Sequence, residues 1–288
     1  MSHSSYSKSS QTPRFMRQWG TMIFIQRASF LRMAMCSTIK LQSCGPSGWK
    51  QHQSPLSRKV YIIGHVPPGF FEKKRGTHWF QEKFNKRYIE IIQKHSQVIA
   101  GQFFGHQHRD SFKIFYSNDG SPVSAMFIAP AVTPWKTTLP GLQKGSQNPG
   151  IRLFQYDVDT LQILDMVTYY LNLTLANAQA LLWEEEYRLT EAFQVHDGTA
   201  GSMQAVLDKL SQDKDYLQKY YEYNSVSYDL GDCDDWCRTD HICAIRNVDY
   251  ARIKAFFLQR TTIPVGIFFE EHSQMLKVVD STPPKSNE

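Results

Sequence analysis

Two apolar, strand-like runs each end in a glycine and a histidine, with a helix-length interval between them. Residues 59–63 (KVYII) run into Gly64-His65, and residues 97–103 run into Gly105-His106-Gln107-His108. A chain ordered strand, His loop, helix, strand, His loop has few ways to fold. If the strands are parallel neighbours, the interval is their crossover helix, because a tight hairpin cannot join parallel strands. Both loops then lie at the carboxyl edge of one sheet, where the ligand sites of open α/β sheets gather.

The histidines themselves point to a metal. His106 and His108 are two apart, so in an extended segment their side chains project to one side, and Gly105 permits the tight backbone that aims them. Neutral imidazole is the commonest protein ligand for zinc, and a third His from another loop is typical of such sites. An isolated H-x-H arises by chance on polar loops; a Gly-His at a second strand mouth makes the set specific. The candidate metal ligands are therefore His65, His106 and His108. His78 and His95 fit packing or dipole contacts near helix ends. His196 and His241 fit surface or structural roles in polar surroundings, and His3, His52 and His272 fall in the least domain-like segments.

Elsewhere the pattern is a mixed one. Thr77 is a candidate cap for a helix through about residue 95, with Phe80, Phe84, Tyr88, Ile91 and Ile92 on one face. Strands are expected near 112–116, 125–128, 151–156 and 162–168, between Gly, Pro and Asn turns. Beyond Asn172 the pattern is mainly helical, clearest at 176–193 and 202–223. The fold class is α+β, an α/β sandwich with a helical C-terminal domain. No internal repeat is visible, and no stretch of about twenty apolar residues suggests a membrane span.

Charge divides the 288 residues unevenly. Residues 1–71 contain nine Lys or Arg and no Asp or Glu, whereas acids and bases mix thereafter. Such a head reads as sequence foreign to the following domain, a targeting segment, or a nucleic-acid arm. A secretory signal fits badly, since the apolar run 22–25 is followed by Arg27 and Arg32. Cys36 and Cys44 stand apart, while Cys233, Cys237 and Cys243 cluster in CDDWCRTDHIC. Zinc binding there is open, but the spacing is not the paired C-x2-C of a structural zinc module. A local Cys233–Cys237 disulfide, leaving Cys243 to seek a distant partner, is the stronger reading and requires an oxidising compartment. The sequon Asn172-Leu173-Thr174, a candidate glycosylation site, points the same way.

Taken in order, VYIIGHVPPGFFEK, VIAGQFFGHQHRDSF, MFIAPAVTPWKTTLPG, NPGIRLFQYD, DMVTYYLNLT and CDDWCRTDHICAI resemble the acid sphingomyelinase-like phosphodiesterases, above all the 3b branch. These are calcineurin-like metallophosphoesterases, and the resemblance runs over residues 59–250. It implies paired sheets flanked by helices and two zinc ions at one edge. His65 and His106 would serve one ion and His108 the other, with in-line attack of water on phosphorus. It implies a phospholipid head-group or nucleotide-type phosphodiester as substrate, a membrane surface as a compatible setting, no nucleic-acid partner, and an extracellular or cell-surface location.

The resemblance also divides the chain. Residues 1–58 read as an atypical, poorly ordered basic segment and 59–170 as a partial metallophosphoesterase domain. Residues 171–250 read as the helical domain and 251–288 as a divergent tail. The family's Asp-x-His, bridging Asp and Gly-Asn-His motifs precede the GHVPP loop, and residues 1–61 contain none of them. The cysteine that would partner Cys243 and the apolar tail of a lipid-anchor signal have no counterpart in 251–288. The chain therefore reads as truncated or alternatively joined at both ends. At most one weakly held zinc is expected of it, and catalytic residues are left unassigned. The alternative function is an inactive binding or regulatory isoform, or a non-functional fragment. Trp135, Lys136, Thr137 and Thr138 form a loop that could approach a head group, although an exposed loop anchor explains them equally well.

Overall fold

The computed structural model describes residues 19–27, 30–36, 59–134, 147–178 and 180–260, with backbone alone for 19–27, 30–36 and 259–260. A hairpin of β1 (Trp19–Arg27) and β2 (Phe30–Cys36) comes first. Strand β3 (Val60–Ile63), helix α1 (Glu82–His95) and strand β4 (Ile99–Phe104) follow as one crossover unit, and β3 and β4 pair in parallel. Strands β5 (Ser111–Tyr116), β6 (Pro122–Ile128), β7 (Gly150–Asp157) and β8 (Ile163–Leu171) come next. The rest is α2 (Leu173–Asn177), β9 (Trp183–Arg188), α3 (Leu189–Phe193), α4 (Ala200–Gln212), α5 (Lys214–Asn224), α6 (Asp235–Arg246) and α7 (Tyr250–Arg260). The strands form two sheets, a mixed β3-β4-β6-β5 and an antiparallel β2-β1-β7-β8-β9.

Alternation along the mixed sheet decides the layering. Phe103, Phe112, Ile114, Ala125 and Phe127 face inward onto Phe154, Tyr156, Ile163 and Met166 of the second sheet and onto residues of α3 to α6. Their neighbours Phe104, Phe115, Met126 and Ile128 face outward and pack with Ile92 of α1. Both faces of these strands are covered, which is why they read as unbroken apolar runs. The fold is α+β, two sheets with helices packed around them.

Several elements differ from the sequence reading. Helix α1 starts at Glu82 behind Gln81, not at Thr77, and its buried residues are Asn85 and Ile92 while Phe84 and Ile91 are exposed. The buried stripe was misplaced because a polar residue, Asn85, sits in it: its Nδ2 donates to Val248 O (2.9 Å) and its Oδ1 accepts from Gly69 N (2.9 Å). Residues 183–188, read as helix, are strand β9, paired antiparallel with β8. Three consecutive glutamates look helical by propensity, yet they suit a sheet edge, where charge blocks further pairing. The expected helix 202–223 breaks at Asp213, whose side chain accepts from Asp215 N and Tyr216 N and so caps α5.

Within residues 1–58, read as poorly ordered, β1 and β2 pair with each other, and β1 also pairs antiparallel with β7. Backbone hydrogen bonding along an open sheet edge needs no apolar period, so pattern reading missed it. A boundary at 170/171 falls inside β8, and one at 250/251 falls at the start of α7, which packs Phe256 and Phe257 beside Phe70, Cys243 and Ala244. Cys44, Trp135, Lys136, Thr137, Thr138 and the tail beyond 260 lie outside the described residues.

A buried ion pair joins the two sheets. Asp110, just before β5, pairs with Arg152 of β7, and both side chains are almost wholly buried. The carboxylate also accepts from Thr168 Oγ1 (3.1 Å) and Tyr187 OH (2.9 Å), and Arg152 donates to Ile128 O (3.3 Å). Breaking such a pair strands a charge in the interior. Arg152→Met is expected to cost about 3–5 kcal/mol of unfolding free energy in urea denaturation. A change no larger than a surface substitution gives, about 0.5 kcal/mol, would show the pair to be dispensable.

Candidate metal centre

The two histidine loops leave adjacent parallel strands and are stitched together by backbone. Gly64 N donates to Phe103 O (3.0 Å), and Gly105 N donates to His65 O (3.0 Å), continuing the β3–β4 ladder past its ends. Gly64 is required for packing, because a Cβ there would collide with the Phe104 ring.

Beyond Gly105 the backbone is not extended. His106 and His108 both adopt left-handed backbone, with φ of 69° and 58°. The expected strand-like alternation therefore does not aim them, and neither does any left-handed turn at Gly105. Two consecutive-but-one left-handed residues curl the loop instead. Such backbone costs roughly 1–2 kcal/mol per non-glycine residue, and strain of this kind clusters at functional sites.

The curl brings His106 to His65. His106 Nδ1 stands 3.3 Å from His65 Nε2, with the rings edge to face at 5.1 Å. Trp79 packs edge-on against His106 at 4.5 Å and walls the pair. His65 Nδ1 is buried with no hydrogen-bond partner. His108 is buried close by. Among the described residues, the one trio of ligating side chains with donor atoms all within 4.8 Å is Cys233, Cys237 and His241. His65, His106 and His108 are thus a contacting pair with a neighbour, not a single three-fold cage.

Electrostatics hold all three rings neutral. Burial lowers the pKa of His65; burial and then the His65 ring lower that of His106. His108 is pushed down to about 4, first by burial and then by His106 and His65. Neutral imidazole is the ligating form, and a buried ring nitrogen without a hydrogen bond can accept a Lewis acid or a proton donor. The donor set therefore fits zinc, yet as neutral donors only: Asp110, the carboxylate nearest in sequence, is committed to Arg152.

Residues beyond the three histidines position the loops. Asn224 at the end of α5 donates from Nδ2 to Asp110 O (3.0 Å) and to Glu72 Oε1 (2.9 Å), clamping both histidine loops to one helix. Sequence reasoning missed Asp110, Arg152, Tyr187 and Asn224. One signal was present: Arg152 occupies the inward register of β7 with Phe154 and Tyr156, where a charged residue needs a buried partner.

The other candidate residues lie elsewhere. Cys233 and Cys237 are joined in a disulfide with Cα atoms 5.3 Å apart, and Cys243 is a buried free thiol whose pKa burial raises to about 12. Asn172 is partly exposed and caps α2, its side chain accepting from Thr174 N and Leu175 N. His241, read as lying in polar surroundings, is buried in α6 between the Tyr220 and Tyr221 rings, each 5.6 Å away.

The profile of the acid sphingomyelin phosphodiesterase C-terminal region matches residues 121–262. The chain belongs to the acid sphingomyelinase-like phosphodiesterase family. Its alignment is with the 3b branch: it is 55% identical over 207 residues to human acid sphingomyelinase-like phosphodiesterase 3b, covering 72% of this chain and 46% of that protein. The mouse 3b protein is 57% identical over 192 residues, covering 66% of this chain and 42% of that protein. Human cyclic GMP-AMP phosphodiesterase SMPDL3A is 45% identical over 194 residues, covering 66% of this chain and 42% of that protein. The chain spans less than half the length of these relatives. No helix among the described residues is long and apolar enough to cross a membrane.

The neutral rings give stability a pH dependence of definite sign. An unfolded histidine takes a proton near pH 6.5, whereas folded His108 resists until about 4. Below pH 6.5 the unfolded state binds more protons, so stability falls as pH drops from 6.5 toward 4. Asp240, raised to about 6 by burial, acts in the opposite sense. The reading is therefore a difference between variants. Without added metal, His108→Asn should lose less melting temperature than the parent between pH 7 and pH 5; parallel curves would contradict the assignment.

Proposed function

We propose that this chain carries the histidine half of a zinc-dependent phosphodiester hydrolase site of the acid sphingomyelinase-like type. The supporting observation is the meeting of His65 and His106 on loops leaving adjacent parallel strands, with His108 two residues on. His65 and His106 would hold one ion and His108 a second. Zinc, when bound, would supply Lewis-acid charge at the phosphate oxygens. The chain's own part is to present neutral imidazoles, to wall the site with Trp79, and to fix both loops through Asp110 and Asn224.

The substrate class in this reading is a phospholipid head-group or nucleotide-type phosphodiester. Relatives bearing the names sphingomyelinase and cyclic GMP-AMP phosphodiesterase frame that choice. The same reading places the chain outside the cell or at its surface, with Asn172 glycosylated.

A second reading is favoured by the charges. Residues 1–71 contain no Asp or Glu, and three neutral imidazoles offset none of the charge of two dications. A carboxylate is needed to hold both ions, and three histidines alone support the reading of an inactive binding or regulatory form, or of a non-functional fragment. Metal analysis of the purified 288-residue chain with a nitrophenyl phosphodiester assay separates the readings. The expected outcome is a single, weakly held zinc and hydrolysis lower than an intact relative's by at least the roughly 10²–10⁴-fold that general acid catalysis supplies. His106→Ala should abolish the metal bound by this pair. Two tightly held ions with robust turnover would overturn the second reading, and no zinc at all would overturn the first.

A further inference from the structure

The metal-ligating trio formed by Cys233, Cys237 and His241 lies outside the site described above. Cys237 and His241 are four apart in α6 and so share a face, while Cys233 precedes the N-cap Asp234 and reaches that face through its bridge to Cys237. One ring nitrogen of His241 and the two sulfurs all lie within 4.8 Å of one another. The cysteines are partly buried, whereas His241 is 1% exposed.

The histidine is the odd member. Neither of its ring nitrogens has a hydrogen-bond partner. Burying an unsatisfied polar group costs roughly 1–3 kcal/mol, so an imidazole with both nitrogens orphaned is an expensive way to fill space between two tyrosines. Burial first, and then Lys73, Arg109 and Lys113, hold the ring neutral, which is the form that ligates. A buried imidazole without a hydrogen bond thus stands beside two sulfurs that are joined to each other.

We propose that reduction of the Cys233–Cys237 disulfide converts this trio into a zinc site, with two thiolates, the His241 imidazole and one open position. Reduction by a trialkylphosphine balances simply: the phosphine and one water give phosphine oxide, and the disulfide takes two electrons and two protons to become two thiols. Zinc then displaces both thiol protons to solvent. The two thiolates cancel the charge of the ion, so the cations facing His241 oppose the complex little. Cys-Cys-His with a fourth open position is a zinc donor set of ordinary composition. The disulfide and the metal are therefore alternative ties for the segment that leads into α6; an oxidising setting holds the disulfide, and the metal can enter only once a reductant has opened it.

The test compares oxidised and phosphine-reduced full-length chain in a Cys36→Ser/Cys44→Ser background, with zinc counted against a chromophoric chelator and cobalt(II) as spectroscopic probe. Reduced protein should bind one more zinc per chain than oxidised protein, and cobalt should give thiolate charge-transfer absorption only after reduction. The histidine loops contribute equally in both states, so their occupancy cancels. His241→Ala should weaken the redox-dependent binding by more than the roughly 10–100-fold that loss of a supporting contact costs. No increment on reduction, or an affinity unchanged in His241→Ala, overturns the proposal. If that variant does not fold, X-ray absorption on zinc-loaded reduced parent decides: two sulfurs with an imidazole support the site, and a shell without imidazole overturns it.

Discussion

The Asp110–Arg152 pair is the constraint on which the arrangement of this protein rests. It crosses from the mixed sheet to the antiparallel sheet, and both partners are nearly sealed from water. A charge so placed tolerates no loose geometry, because each unpaired lone pair or proton is costly in a low dielectric. Thr168 and Tyr187 complete the carboxylate's partners from β8 and β9, so three strands of one sheet hold one residue of the other. That residue lies two positions after His108.

This placement links packing to chemistry. Left-handed backbone at His106 and His108 is strained, and strain persists only where the flanks are fixed. Upstream the flank is the β3–β4 ladder, carried on by Gly64 and Gly105. Downstream it is Asp110, held by side chain to the second sheet and by backbone to Asn224 of α5. Asn224 also reaches Glu72 in the first histidine loop, so the helical half of the chain sets the distance between the two loops. The histidine pair is thus assembled by contacts far apart in sequence.

The family relation gives this geometry its chemical meaning, and the charge distribution sets its limit. Neutral rings on adjacent strand ends are chemically suited to a Lewis acid, while Asp110 is held by Arg152 and Glu72 accepts from Asn224 through one of its two oxygens. A similar economy of partners appears at the start of α6, where His241 lies buried without a hydrogen bond beside the Cys233–Cys237 bridge. In both places burial favours the neutral imidazole, and a buried ring nitrogen makes no hydrogen bond.

Sequence alone determined the crossover unit, because unbroken apolar runs closed by glycine specify buried strands, and the interval between them is too long for a hairpin. It also marked His65, His106 and His108 as residues that meet at one sheet edge, since a side chain's identity is written in one residue. The strands from 111 to 171 were legible for the same reason of period and turn chemistry. Tertiary structure decided the rest. Glu184, Glu185 and Glu186 became a strand because the open edge of β8 offered backbone partners, a non-local term that outweighs helix propensity. The hairpin at 19–36 joined β7 through the same kind of edge pairing. The aim of the histidines came from left-handed backbone that no residue type there announces, held by a carboxylate whose partner, Arg152, is forty-two residues away. Local pattern records which residues are present and which face is apolar; a buried charge finds its partner only when the sheets close.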